Sequence, residues 1–320
     1  MRLLDVRHEQ TAVFAAEALG KLTRTPGLAV LTAGPGVTNG VSAISQASFS
    51  GSPLVVVGGR APAGRWGTGS LQELDHPPLL APVTKLAATV ESVEQIAVAF
   101  DSALTTATTP HRGPVFLDVP MDQLFGRADV ALPAPPVRER AAPDPDAAAD
   151  VGRLLAEAER PVLVIGSDVW SDGAEQQARR LAETAGVPVV TNGMGRGVLP
   201  AGHPLLVTRA RGAAFGDADL VVVVGVPLDF RLGFGAFGGK DGADPAAVVH
   251  VADSPGQVAQ HVKLAASAAG DLGLVLDAVS EAWAAAARVA AYEPWVRSLQ
   301  EHARHAVEKD RALLSSDADP

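Results

Sequence analysis

The chain has 320 residues and a formal net charge of −10, and 47% of its residues are apolar while only 4% are aromatic. Its length predicts two domains with cores of Ala, Val and Leu, and an acidic balance without a basic stripe argues against nucleic acid or an anionic membrane surface as a partner. The absence of cysteine excludes disulfides, thiolate nucleophiles and cysteine-based metal sites. No apolar stretch approaches the length of a membrane span and the N-terminus lacks a signal-peptide pattern, so the default expectation is a cytoplasmic protein.

In chain order, short aliphatic runs alternate with Ala-rich, helix-like segments. Buried parallel strands have such nearly continuous aliphatic sequences. The alternation therefore predicts the α/β class, with two three-layer α/β/α domains and mainly parallel sheets. The predicted strands are 3–6, 28–32, 53–57, 115–119, 161–165, 188–191, 220–224 and 248–251. The predicted helices are 10–22, 37–50, 93–105, 147–157 and 173–184.

A proline-rich segment, residues 131–146, separates two such regions. Its composition is typical of a semi-rigid linker. We therefore expect a first domain over residues 1–130 and a second over residues 147–280. The tail, residues 281–320, is predicted to be helical as far as Ala291 and frayed or disordered from residue 315.

A carboxylate, Glu9, lies where the first strand-like run stops and the first helix-like run begins. Open α/β sheets bind ligands at the carboxyl ends of their strands, although a carboxylate in the first turn of a helix is also favourable through the helix dipole alone. Residues 34–40, after the next predicted strand, read Gly-Pro-Gly-Val-Thr-Asn-Gly. The glycines permit positive φ and close backbone approach to a ligand, and the helix start adds amide donors. The same pattern also suits a tight βα turn with no ligand.

The glycine-rich segments of the second domain indicate a ligand site less specifically than Glu9 and residues 34–40 do. Residues 193–197 follow a predicted strand and either approach a nucleotide or merely turn. Residues 233–238 match G-x-G-x-x-G, but residues 227–232 separate them from their strand, which favours a glycine-rich loop over a dinucleotide fingerprint. No pair of histidines has metal-ligand spacing, so we predict no metal ligands. The chain also has no nucleophile elbow and no Walker loop.

Six segments, taken together, resemble the acetolactate synthase large subunit and its thiamine diphosphate relatives. They occur in the family's order and, together, cover most of residues 3–275. They are residues 7–10, 33–40, 52–59, 69–75, 113–120 and 225–233. The resemblance implies a pyrimidine-binding domain followed by the central domain of these enzymes.

The resemblance also implies roles for residues of the first domain. Glu9 is similar to the glutamate that hydrogen-bonds to N1′ of the cofactor's aminopyrimidine ring, where it favours the imino tautomer that takes the proton from thiazolium C2. Gln72 would project from a loop toward the substrate. The residues that would lie beside the pyrimidine are Gly34, Pro35, Gly36 and Asn39.

For the second domain, the resemblance implies a site that holds FAD in acetolactate synthases, ADP in oxalyl-CoA decarboxylases, or nothing. The residues on the matching strand ends and loops are Gly166, Gly193, Gly195, Gly225, Asp229, Arg231 and Asp253.

Two parts of the family's pattern are expected to be absent: its first strand and helix, and a third domain whose Gly-Asp-Gly and paired Asn residues bind Mg²⁺ and the diphosphate. We therefore expect the isolated chain to be inactive on a small 2-keto acid, and a homo-oligomer or a complementary chain to complete the site. One alternative is a 2-hydroxyacyl-CoA lyase or oxalyl-CoA decarboxylase, with a 2-hydroxyacyl-CoA substrate. The other is a non-catalytic binding or oligomerisation module.

Overall fold

The computed structural model describes residues 3–134, 139–286 and 291–314, which form two compact units, one up to residue 134 and one from residue 139. Each unit contains one sheet of parallel strands with helices packed on both of its faces. The predicted α/β class, with two parallel-sheet domains, is confirmed.

The strands of the first unit are β1 (Gly27–Leu31), β2 (Leu54–Arg60), β3 (Leu86–Thr89) and β4 (Pro114–Pro120). Its helices are α1 (Glu9–Thr23), α2 (Pro35–Phe49), α3 (His76–Leu80), α4 (Ile96–Thr108) and α5 (Met121–Leu124). The strand order in the sheet is β1-β2-β4-β3. The loops that follow β1, β2 and β4 therefore leave the sheet at the same edge.

The two central strands, β2 and β4, contribute residues to the hydrophobic core on both faces of the sheet. Leu54 and Val56 of β2 pack in the cluster that contains residues of α1 and α2, whereas Val55 and Val57 pack in the cluster that contains residues of α4. Because side chains alternate along a strand, burial on both faces requires a continuous aliphatic run, as the sequence has. All seven residues of β4 are buried, even though one of them is Asp118.

Two sequence expectations for the first unit differ from the structure. The strand predicted at residues 3–6 is wrong: these residues join no sheet, and Leu3 and Leu4 are 82% and 68% exposed. An aliphatic run forms a strand only where a neighbouring strand edge receives its hydrogen bonds. Conversely, β3 was not predicted, because its sequence Leu-Ala-Ala-Thr is only half-buried and carries a weak aliphatic signal.

The strands of the second unit are β5 (Pro161–Ile165), β6 (Val189–Thr191), β7 (Leu220–Val224), β8 (Ala247–Ala252) and β9 (Ala266–Ala269). Its helices are α6 (Pro145–Glu157), α7 (Ser167–Asp172), α8 (Glu175–Ala185), α9 (Arg211–Asp217), α10 (Leu272–Ala284) and α11 (Glu293–Leu314). The strand order is β6-β5-β7-β8-β9.

Helix α11 is an integral part of the second unit's core. Val296 belongs to the cluster on one face of the sheet, while Trp295 and Leu299 belong to the cluster on the other face. The indole Nε1 of Trp295 donates a 3.0 Å hydrogen bond to the carbonyl of Pro161 at the start of β5. The helix predicted as far as residue 291 ends at Ala284, and the segment predicted to be frayed, residues 315–320, lies outside the described residues. Among the described helices, none combines the length and the apolar character needed to cross a bilayer.

Candidate functional site

Glu9 occupies the first turn of α1. The preceding residue, His8, caps this helix, since its Nδ1 accepts a 3.1 Å hydrogen bond from the Gln10 amide. The Glu9 carboxylate accepts a 3.0 Å hydrogen bond at Oε2 from Nδ2 of Asn39. This bond, helped by the backbone amide and by His8, holds the pKa of the Glu9 carboxyl below its ordinary value. Glu9 is therefore an ionised carboxylate at neutral pH.

The loop between β1 and α2 brings glycine backbone next to this carboxylate. Gly34 has φ 55° and ψ −111°, a conformation that only glycine adopts easily, and α2 begins at Pro35, where no amide donor is needed. A Cβ on Gly36 would lie 2.4 Å from Cγ2 of Thr32 and 3.7 Å from Oε1 of Glu9. Glycine at this position therefore lets Thr32 pack against the loop, and its backbone lies beside the Glu9 carboxylate.

Gln72 lies against the same loop. A Cβ on Gly34 would lie 3.0 Å from both Cβ and the carbonyl oxygen of Gln72, and Oε1 of Gln72 accepts a 3.3 Å hydrogen bond from the Thr32 hydroxyl. Gln72 itself has φ 58°, which is uncommon for a residue with a side chain. Residues with such strained backbone conformations are found most often at active sites and ligand-binding sites, where the surrounding structure holds them in place.

A cavity of about 330 Å³ opens beside Gln72 at the carboxyl edge of the first sheet. Its lining includes two arginines, Arg60 and Arg65, and the exposed side chains of Met121 and Leu124. The other lining residues are Thr32, Ala33, Gly59, Ala61, Pro62, Ser70, Leu71 and Gln72. The lining thus combines cationic and apolar side chains, which suits a small organic anion.

Behind the loop lies a buried polar network. Nε2 of His76 is 3.0 Å from the Gly34 amide nitrogen, and Nδ1 of His76 is 2.9 Å from Oδ2 of Asp118. The same Asp118 oxygen accepts a 2.8 Å hydrogen bond from Arg60. No motif in the sequence points to these three residues. The signal that was present is Asp118 itself, because a carboxylate inside a buried aliphatic strand needs a charged or hydrogen-bonding partner elsewhere in the chain.

In the second unit, the predicted glycines come together at the carboxyl edge of the sheet. A Cβ on Gly166 would lie 2.3 Å from the carbonyl oxygen of Gly225, and a Cβ on Gly195 would lie 2.3 Å from the carbonyl oxygen of Ile165. A Cβ on Gly193 would lie 2.3 Å from the Ser167 hydroxyl. Protein atoms therefore fill the space beside these three glycines, which gives each of them a packing role whether or not a nucleotide binds.

The remaining predicted residues of the second unit are engaged with neighbouring residues. Arg231 forms a bidentate ion pair with Asp229, with a shortest distance of 2.7 Å, and the carboxylate holds the pKa of the Arg231 guanidinium above its ordinary value. Asp253 is buried after β8 and accepts a 3.1 Å hydrogen bond from the Ser254 hydroxyl. Asp229 and Arg231 thus neutralise each other, and binding of an anion by Arg231 would compete with this pair.

Comparison with known proteins identifies the class. Residues 1–79 match the family described as "Thiamine pyrophosphate enzyme, N-terminal TPP binding domain", and residues 148–279 match "Thiamine pyrophosphate enzyme, central domain". The chain belongs to the thiamine diphosphate-dependent enzyme family, so the resemblance inferred from its motifs is confirmed. The match of the first unit supports thiamine diphosphate as the cofactor.

The relatives include an acetolactate synthase large subunit from Mycobacterium tuberculosis, which is 44% identical over the full chain. The human 2-hydroxyacyl-CoA lyase 2 is 33% identical over 73% of the chain, and a probable acetolactate synthase large subunit from Methanocaldococcus jannaschii is 31% identical over 84%. The chain spans 57%, 43% and 48% of the length of these three relatives, respectively.

Proposed function

We propose that this chain provides the pyrimidine-binding and central parts of an acetolactate synthase-like enzyme. Such an enzyme decarboxylates a 2-keto acid such as pyruvate and adds the remaining fragment to a second carbonyl compound. The observation that carries the proposal is the hydrogen bond between Glu9 of α1 and Asn39 of α2, in a chain 44% identical to an acetolactate synthase large subunit. The chain spans 57% of the length of that relative, and we propose that the complete activity requires parts outside this span.

The residues of the first unit fit an aminopyrimidine. Glu9 offers an ionised carboxylate whose Oε2 accepts a hydrogen bond from Asn39, and the backbone of Gly36 lies beside its Oε1. A ring nitrogen is the kind of group with which a carboxylate shares a proton. Thiamine diphosphate, when bound, supplies the carbon nucleophile that attacks the keto group of the substrate.

Each residue of the chain would have a defined part in this reaction. Glu9 would share a proton with the pyrimidine ring across a hydrogen bond, and Asn39 would keep the Glu9 carboxylate oriented. Gln72 would face the substrate at the cavity. Arg65, which also lines the cavity, would attract the carboxylate group of a 2-keto acid, whereas Arg60 is already paired with Asp118 and Asp75.

Other parts of the active enzyme are proposed to lie outside this chain. We place the Mg²⁺ and diphosphate ligands on a further segment or on a partner, with a second copy of the chain or a complementary chain completing the site. In the second unit we propose a nucleotide, FAD or ADP, at the edge formed by Gly166, Gly193, Gly195 and Gly225.

Binding of thiamine diphosphate to the full chain tests the role of Glu9. We expect Glu9→Gln to weaken binding, measured by calorimetry with Mg²⁺ present, by about tenfold or more, because a hydrogen bond to a charged group contributes roughly 1.5–3 kcal/mol. Glu94→Gln is the matched control: like Glu9, Glu94 lies in the first turn of a helical segment and has a lowered pKa, and it stands more than fifty positions beyond the loop at residues 34–40. Equal affinities of the two variants would refute the proposed role of Glu9.

The second candidate, a 2-hydroxyacyl-CoA lyase, is favoured by the 33% identity to the human enzyme of that name. Turnover assays distinguish the candidates: acetolactate formation from pyruvate with retained FAD supports the first, while cleavage of a 2-hydroxyacyl-CoA with bound ADP supports the second. Each assay is run with the chain alone and with a protein carrying the diphosphate-binding segment. Absence of both reactions under all these conditions would leave the non-catalytic module as the correct description.

A further inference from the structure

The buried imidazole of His76 contacts the backbone of the loop between β1 and α2. His76 and Asp118 are both fully buried, and each ring nitrogen of His76 has one partner. The amide nitrogen of Gly34 can only donate, so Nε2 of His76, 3.0 Å away, must accept and carry no proton. Nδ1 then carries the proton and donates it to Asp118 across 2.9 Å. The geometry therefore fixes one neutral tautomer of His76.

The carboxylate that orients this imidazole is itself fixed. Asp118 lies inside β4, in register with Gly58 of β2 on one side and with Thr89 of β3 on the other. Its charge is balanced by Arg60, which also donates a 3.1 Å hydrogen bond to Asp75. A continuous series of hydrogen bonds thus leads from Asp118 on the central strand β4 through His76 to the amide of Gly34.

The last contact in this series is made by the backbone amide of Gly34, which lies in the loop that forms the candidate site. Gly34 is buried and has a positive φ, so its N–H group would lose water without an acceptor such as His76. Gly34 also contacts Gln72, and two residues later Gly36 faces Glu9. A rotation of the Gly34 peptide would therefore move both Gln72 and the Gly36 backbone beside Glu9.

We propose that His76, oriented by Asp118, is a positioning residue that fixes the Gly34 peptide and hence the geometry of the pyrimidine site. The part of this inference that concerns cofactor binding rests on the proposed function. The part that concerns the Gly34 peptide does not, since it follows from contacts within the chain.

Two substitutions of His76 distinguish the hydrogen bond made by Nε2 from the hydrogen bond made by Nδ1. In His76→Gln, the longer amide side chain places an oxygen near the former Nε2, where it accepts from Gly34. In His76→Asn, the shorter amide places its NH₂ group near the former Nδ1, where it donates to Asp118 but does not reach Gly34. Both variants remove the ring, and Asn is one methylene shorter than Gln, so the unfolding midpoint of each variant is measured to separate a packing difference from the loss of the hydrogen bond.

In the full chain without cofactor, we expect the Gly34 amide to exchange its hydrogen at least tenfold faster in His76→Asn than in His76→Gln, and nitrogen NMR of the wild-type protein to show His76 protonated at Nδ1. With thiamine diphosphate and Mg²⁺, His76→Asn should bind about fivefold more weakly than His76→Gln, since one neutral hydrogen bond contributes about 1 kcal/mol. Equal exchange in the two variants, or protonation at Nε2, would overturn the inference. Faster exchange with equal affinities of Glu9→Gln and Glu94→Gln would retain the positioning of Gly34 and reject only the proposed cofactor site.

Discussion

The substitution Gly166→Ala tests whether the position directly after β5 must be glycine because neighbouring atoms leave no room for a side chain. The backbone of Gly166 has φ −109° and ψ −170°, which alanine adopts without strain, so any cost must come from contacts of the added methyl group. That group would lie 2.3 Å from the Gly225 carbonyl oxygen and 2.3 Å from Cβ of Val226. Non-bonded carbon contacts are optimal at about 3.5–4.0 Å, so the two loops would have to separate by roughly 1 Å. Overpacking of this kind costs about 1–3 kcal/mol of unfolding free energy.

Urea unfolding of the full chain, followed by tryptophan fluorescence, measures this cost. Three of the four tryptophans, Trp170, Trp283 and Trp295, lie in the second unit and report on its unfolding. With a denaturant slope of about 2 kcal/mol/M, the midpoint should fall by roughly 0.5–1.5 M. The control is Gly212→Ala on α9, where no atom lies within 4 Å of the added Cβ and where alanine should raise stability slightly through its helix propensity.

A Gly166→Ala midpoint equal to that of the wild-type chain would refute this reasoning. It would mean that the loops after β5 and β7 have room for a methyl group, and that glycine serves the approach of a ligand instead. In that case the substitution should weaken FAD or ADP binding without a loss of stability.

Two further predictions concern the first site and the last helix. Asn39→Ala removes the largest cause of the lowered Glu9 pKa, so carbon NMR should show the Glu9 titration midpoint moving upward. A depressed folded-state pKa contributes stability above the unfolded-state pKa that is lost as pH falls through the folded one, and this contribution should shrink in Asn39→Ala. Asn192→Ala, which changes the chain's other asparagine, should leave the Glu9 titration unchanged. In α11, Leu299→Ala should cost about 2–5 kcal/mol because Leu299 is fully buried, whereas Val307→Ala, at a 41% exposed position of the same helix, should cost less than about 0.5 kcal/mol. Equal costs would contradict the packing of α11 into the core.

The elements that sequence predicts well are those whose burial is complete. The central strands of both sheets are buried on both faces, so their aliphatic runs have no competing interpretation. Strand β9, with sequence Ala-Ser-Ala-Ala, carries no such signal and is a strand only because β8 offers it an edge. Residues 3–6 show the converse, an aliphatic run without a strand edge beside it.

The same distinction applies to the candidate site. Glu9 and the loop at residues 34–40 could be paired through their family pattern, and the 3.0 Å bond between Asn39 and Glu9 brings them together in space. The contact of His76 with Gly34 spans 42 positions and depends on the register of β4 with its neighbours. No local pattern encodes such a contact, and only the unexplained charge of Asp118 indicated that a partner must exist.

The contact between Arg60 and Trp66 makes the first unit observable by spectroscopy. The Arg60 guanidinium lies 4.0 Å from the centre of the Trp66 ring, and Arg60 is also part of the cavity wall. Trp66 is the only tryptophan before residue 170. If the chain is labelled with fluorotryptophan, one of its four fluorine resonances therefore senses the charge beside the cavity. A titration with a small 2-keto acid can follow that resonance directly, with the three tryptophans of the second unit as internal references in the same spectrum.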